Sequence, residues 1–240
     1  MARAPAAGTP RRVTPVRVYR QVADDLEARI AAGEFPVGER LPTERDLAAA
    51  YGVSRTCVRE ALLAMEIAGV VSIRVGAGVF VLAPAVPPAP TAEAPADSHA
   101  PSEILEARLV IEPELAALAA VRATDAELAG IAGAIDLMRE EHRMAASTER
   151  GDREFHRLIA QAARNGLLQS TLAGIWVEMS APLWQALQTH IRNPLLRLRW
   201  IEDHEKIYAA LAARDRRRAR SAMKAHVEEV RHTLEKARFL

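Results

Sequence analysis

Apolar residues recur at helical spacing along most of this chain, and the places where that rhythm changes mark its organisation. Val18, Val22, Leu26 and Ile30 repeat every fourth position, and Gly33 follows where a helix would stop, which predicts a first helix from Val18 to Ala32. Thr43, with Asp46 three residues on, forms a shortened capping box leading into a second helix from Glu44 to Tyr51, ended by Gly52. Ser54 caps a third helix from Arg55 to about Ala68, with Val58, Ala61, Leu62 and Met65 on one face and Gly69 closing it. The rhythm then shortens. Val70 to Ile73 and Val79 to Val81 are apolar runs flanking the turn Arg74-Val75-Gly76-Ala77-Gly78, the pattern of a β-hairpin.

After residue 101 only helical patterns appear. One runs from Glu103 to Val121 and contains Pro113, which is expected to kink or split it. Thr124 and Glu127 form a capping box for a helix reaching about Ala145. Further helices are expected over Asp152 to Ala163 with a stop at Asn165-Gly166, then over Leu167 to Ser180, Leu183 to Ile191, Pro194 to Ala213 and Arg216 to Ala237. The expected fold is mainly α: three helices with a β-hairpin wing, then an all-α bundle of about seven helices.

Composition sets the boundaries. Residues 83–101 hold six Pro and seven Ala, an extended linker that has little to bury. The expected division is a flexible basic arm (1–15), a winged helix-turn-helix (16–82), the linker (83–101) and the helical domain (102–240). With 32 Lys plus Arg against 31 Asp plus Glu, the formal net charge is +1, so nucleic-acid binding would need a local basic surface. Arg3, Arg11, Arg12, Arg17 and Arg20 supply one candidate, with no acidic residue among the first twenty. The mean hydropathy of −0.05, the lack of a run of about 18 apolar residues and a start without a signal-peptide core point to a cytoplasmic chain with no membrane span. Cys57 stands alone, which excludes an internal disulfide and any site built from several thiolates, and it reads as a packing residue.

Two groups of residues carry candidate chemistry. The first lies on the second and third helices, which only Gly52 and Val53 separate before the Ser54 cap, the short turn of a helix-turn-helix. Arg55 and Arg59 stand one turn apart on the third helix, and a guanidinium fork suits guanine O6 and N7 or a phosphate. Ser54 and Thr56 offer hydroxyls at the helix N-terminus, and Arg45 is placed to clamp flanking backbone. A solvated basic face is the bland alternative. The second group is Asp152, His156, His204 and His226. Asp152 and His156 are four apart and share a helix face. Asp215 reads as the N-cap after an Arg214-Asp215 turn, and the last two helices then form an antiparallel hairpin with His204 and His226 at the same height. Such a set suits zinc first, or nickel, manganese or iron, with open coordination positions. For His99, His142, His190 and His232 a neighbour-satisfied histidine is the preferred reading.

The string Leu41-Pro42-Thr43-Glu44-Arg45-Asp46-Leu47-Ala48, then Gly52 to Leu62, then Arg74 to Val81, resembles the GntR family of bacterial transcription regulators. The resemblance implies a homodimer on a short palindromic double-stranded operator, with contacts from Arg45, Ser54, Arg55, Thr56 and Arg59 and a wing tip at Gly76 in the minor groove. Val75 stands where some relatives carry a polar or basic wing residue. Glu106 to Pro113, Asp152 to His156, Asn165, Asp203 to Ile207 and Ala222 to His226 look like the metal-binding FCD ligand domain of the FadR subfamily. That resemblance makes Asp152, His156, His204 and His226 the ligands of a divalent ion. A small carboxylate effector is expected to complete the metal shell, with Arg108 pairing its charge and Asn165 adding a hydrogen bond. The expected activity is effector-modulated operator binding, without enzymatic turnover. A sensor for the ion itself uses the same residues, and a metalloenzyme joined to a DNA-binding arm ranks below both.

Overall fold

The structure, a computed structural model, describes residues 17–83, 99–146, 148–191 and 193–236. All of the expected arm, most of the expected linker, and the end of the last helix at Ala237 lie outside the described residues. Among those described there are ten helices and one two-stranded antiparallel sheet.

Helices α1 (Val18–Ala31), α2 (Glu44–Tyr51) and α3 (Arg55–Ile67) form the first group. Thr43 caps α2 by accepting from the Asp46 amide at 3.3 Å, and Ser54 caps α3 by accepting from the Cys57 amide at 3.1 Å. Between them Gly52 takes φ +66°, a left-handed conformation that costs glycine nothing and lets two helices meet across so short a turn. Val22, Leu26, Leu47, Val58, Leu62 and Met65 are buried together, each at 4% exposure or less. Strands β1 (Val71–Arg74) and β2 (Gly78–Val81) pair with Ile73 opposite Val79 and Arg74 opposite Gly78. The hairpin forms where predicted, with the strands reaching one residue into each side of the expected turn. Residues 38–41 add backbone bonds to β2, Leu41 N to Val79 O at 2.8 Å among them, and these fasten the wing to the helices.

The second group contains α4 (Pro101–Arg122), α5 (Asp125–Arg143), α6 (Arg150–Ala162), α7 (Gly166–Glu178), α8 (Pro182–Ile191), α9 (Pro194–Ala212) and α10 (Arg216–Lys236). That is the expected seven. Helix α4 is not split: it runs through Pro113, which is buried against the bundle core, so packing along 22 residues outweighs the one lost backbone bond. The expected Asn165 stop is also corrected. Arg164, at φ +49°, makes the turn, and Asn165 is the N-cap of α7, accepting from the Leu168 amide at 3.2 Å. Thr124 and Glu127 form the predicted reciprocal box.

The α9–α10 turn forms as the sequence implies. Arg214 is left-handed at φ +57°, Asp215 accepts from the Arg218 amide at 2.9 Å, and the Arg214 guanidinium donates to Asp125 at 2.8 Å. The two helix groups also touch. The Ser102 amide donates to Glu60 of α3 at 2.9 Å, His190 of α8 meets Glu66 of α3 at 2.5 Å, and Arg59 of α3 donates to the Leu234 carbonyl of α10. No helix among the described residues is long and apolar enough to cross a membrane.

Candidate metal centre and DNA-reading surface

The bundle centre is assembled from three helix segments whose ends are fixed locally. Glu141 of α5, 6% exposed, accepts from the amides of Arg150 and Gly151 at 3.0 and 3.1 Å and from the Thr148 hydroxyl at 2.8 Å. It serves the free N–H groups at the start of α6, which has no side-chain cap of its own. Gly151 is required there: a Cβ would lie 2.6 Å from the Met138 backbone nitrogen, so α6 approaches α5 closely only without a side chain. Asp152 and His156 follow on the inward face. Phe155, fully buried, stands edge-on to the rings of His204 at 4.7 Å and His156 at 5.6 Å and limits where those rings can turn.

Asp152, His156, His204 and His226 offer one ligand atom each, and these atoms all lie within 4.8 Å of one another. His204 Nε2 is 3.0 Å from Asp152 Oδ1 and 3.3 Å from His156 Nε2, while His156 Nε2 is 3.7 Å from the same Asp152 oxygen. His226 closes the group with its ring 4.3 Å from that of His204. His204 and His226 therefore lie side by side, as the turn between their helices implies.

Burial and close partners set the charge of each group in the cluster. Burial alone would raise the Asp152 carboxyl, but bonds and charge from His156 and His204 hold it well below the usual carboxylate range. Burial opposes protonation of His156, yet Glu112 and Asp152 outweigh it and raise that imidazole to about 8. Burial, then the charges of His204 and His156, push His226 well below the ordinary histidine value. His226 is held neutral, and its buried Nδ1 has no protein partner. One carboxylate and three inward imidazoles fit a borderline divalent ion such as zinc.

A cavity opens beside the four residues. Its wall includes Arg108, Glu149, Trp184, Gln188, Arg197 and Trp200 together with Asp152, His204 and His226. Arg108, 2% exposed, donates through Nε to Glu112 at 2.6 Å, while its Nη2 lies 3.5 Å from His156 Nε2 and its guanidinium stands 5.1 Å from the Trp176 ring centroid. Asn165 is not among the cavity-lining residues; its side chain is engaged as the α7 cap. The sequence reading gave Glu112 no role, although it follows Arg108 by one helical turn, the spacing that would have suggested the pair. Trp184 and Gln188, one turn apart on α8, and Glu149, at the N-cap of α6, carried no signal, because only the packing of those elements against α9 and α10 places them on the cavity.

On the winged unit, Arg45 and Arg55 are exposed, with side-chain exposures of 83% and 54%. Ser54 is exposed beside them and Thr56 half-buried, while Gly76, at φ +77°, is exposed at the wing tip next to exposed Val75. Arg59 is a correction. It is 3% exposed, bonded through Nε and Nη2 to the buried Glu44 carboxylate at 3.0 and 2.9 Å and through Nη1 to the Leu234 carbonyl. In this arrangement it belongs to a buried ion pair, whose partner lies fifteen residues earlier on α2. Cys57 is half-buried against the core, and burial raises its thiol.

A winged helix-turn-helix followed by a helical bundle is the construction of a DNA-binding transcription regulator. The comparisons agree. The FCD domain family matches residues 103–229, and the family described as bacterial regulatory proteins, gntR family, matches residues 18–81. The Uxu operon transcriptional regulator of Escherichia coli K12 is 37% identical over 226 residues, 91% of this chain and 87% of that protein. The Exu regulon transcriptional regulator of the same strain is 34% identical over 224 residues, covering 90% and 84%. The solved structure of E. coli McbR/YncC superposes with a TM-score of 0.52 at 25% identity, covering 92% of this chain and 98% of that one. The chain belongs to the GntR family of DNA-binding transcription regulators and carries an FCD domain; it is a regulator and not an enzyme.

Proposed function

We propose that this regulator binds a palindromic operator as a homodimer and that a small carboxylate, held at a divalent metal in the helical domain, modulates that binding. The observation carrying the reading is the convergence of Asp152, His156, His204 and His226 on one point at the edge of a cavity that Arg108 also lines. The unit spanning residues 16–82 is the reading head, and residues 102–240 form the ligand-binding and dimerisation unit. A bound zinc, or nickel, manganese or iron in its place, would supply a Lewis-acidic anchor for a carboxylate oxygen.

The protein's own groups do the rest. Asp152 brings negative charge to the site and the neutral His226 a lone pair. Arg108 is already partly neutralised by Glu112, yet its Nη1 has no protein acceptor among the described residues. That guanidinium edge is suited to a second anionic oxygen. At the other end, Arg45 and Arg55 project from the start of α2 and α3 and reach base edges or phosphates, while the free hydroxyl hydrogens of Ser54 and Thr56 suit the backbone. Gly76 lets the wing backbone approach the minor groove. Arg59 supports this surface from beneath.

An effector changes operator affinity only by binding one arrangement of reading heads more tightly than the other. The test is operator titration of zinc-loaded protein with and without a panel of di- and tricarboxylates, repeated with His156→Ala. The expected result is a carboxylate-dependent change in affinity that the variant loses while retaining operator binding. An equal response in the variant would contradict the reading.

A further inference from the structure

We propose that Glu112 is a positioning residue of the metal centre, fixing His156 so that Nε2 is the nitrogen presented to the ion. The inference rests on the metal reading above and adds to it a residue outside the ligand set. Glu112 lies on α4, is 1% exposed, and places Oε2 against His156 Nδ1 across the α4–α6 interface. A hydrogen on Nδ1 held by a carboxylate leaves the lone pair of the neutral ring on Nε2, and Nε2 is the atom that lies near His204 Nε2 and Asp152 Oδ1.

His156 and His204 differ in what stands behind them, and that difference ranks the two. His156 has a carboxylate. His204 donates from Nδ1 to the Trp200 carbonyl at 2.6 Å, a neutral acceptor one turn earlier on its own helix. An anionic acceptor raises the basicity of the ligating nitrogen more than a carbonyl does, so His156 is a stronger imidazole anchor than His204 and depends on Glu112 for it. The same carboxylate accepts Arg108 Nε through its other oxygen, so one residue joins the metal ligand to the guanidinium proposed to receive the effector.

A simpler role for Glu112 is to neutralise the buried Arg108, and the two roles separate in a double variant. Zinc affinity of the full chain is measured by competition with a chromophoric chelator for wild type, Glu112→Gln and Arg108→Met/Glu112→Gln, with circular dichroism and thermal unfolding of the metal-free proteins as the fold check. Positioning predicts zinc binding weakened by about 10- to 100-fold in both variants. Wild-type affinity in Glu112→Gln, or its return in the double variant, overturns the proposal. Absence of zinc uptake by wild type overturns the metal reading and this one together, whereas uptake by wild type with unchanged variants removes only the role of Glu112. A measurement on wild type needs no substitution: nitrogen-15 spectra of the histidine rings at a pH where they are neutral should show the His156 proton on Nδ1, and a proton on Nε2 would refute the assignment.

Discussion

Among the described residues two arginine–glutamate pairs are buried on both sides, and they differ in what they leave unsatisfied. Arg59 and Glu44 engage each other through two hydrogen bonds, and the remaining guanidinium nitrogen reaches the Leu234 carbonyl. Arg108 and Glu112 share one short bond; the second carboxylate oxygen turns to His156, and the guanidinium lines a cavity. Burying two charges is costly, and a closed pair recovers that cost through its own geometry and packing. A pair left open toward a cavity and a histidine cluster retains interaction capacity for something else. The first pair explains how α2, α3 and α10 are held, and the second how the candidate site is poised.

The largest effect that would test this contrast is on the closed pair. Arg59→Ala should strip Glu44 of its two-bond partner, leaving only Arg55 at 3.4 Å, and destabilise the fold by about 3 kcal/mol, read as a lower denaturant midpoint. An unchanged midpoint would return Arg59 to the DNA-facing set. For the open pair, zinc should contribute the stability: at a free concentration about a thousandfold above its dissociation constant it is expected to add about 4 kcal/mol to unfolding, and His204→Ala should abolish that gain. Equal zinc stabilisation in the variant would show that the ion binds elsewhere.

Smaller effects separate the surface from the core. Arg55→Ala should cost about 1–3 kcal/mol of operator affinity with little change in thermal stability, because its side chain is half exposed. Loss of stability without loss of binding would reverse its role. The smallest effect concerns Glu60, whose carboxyl burial raises above the ordinary value while the Ser102 bond pulls the other way. A carboxyl whose folded pKa is raised gives its full stabilising contribution below its unfolded value, and that contribution is lost as pH rises through the folded pKa. Glu60→Gln should therefore raise the melting temperature slightly at neutral pH, with the gain shrinking toward zero below the carboxylate range. A variant less stable than wild type at neutral pH would show that the charge itself holds the domain contact.

What the sequence made legible follows from how local each signal is. Thr43, Ser54 and Thr124 cap the helices they were expected to cap, because capping depends on residues three apart. His204 and His226 were paired correctly because one turn at Arg214-Asp215 fixes their heights. Arg59 was misplaced because helix spacing shows that a residue lies beside an apolar face and cannot show that Glu44 of another helix waits there. Asn165 was taken for a stop and an effector contact, whereas the left-handed turn belongs to Arg164, a residue type that rarely signals one. The cavity wall was invisible for a related reason: Trp184, Gln188 and Trp200 sit on helices whose relative placement only the packed bundle supplies.

The measurement that bears most directly on the central claim is the metal content per chain of untagged protein purified without chelator, wild type beside His204→Ala. The account predicts about one divalent ion per wild-type chain and a loss of most of it in the variant. Metal-free wild type after incubation with zinc, nickel and manganese, or equal metal in both proteins, would contradict it.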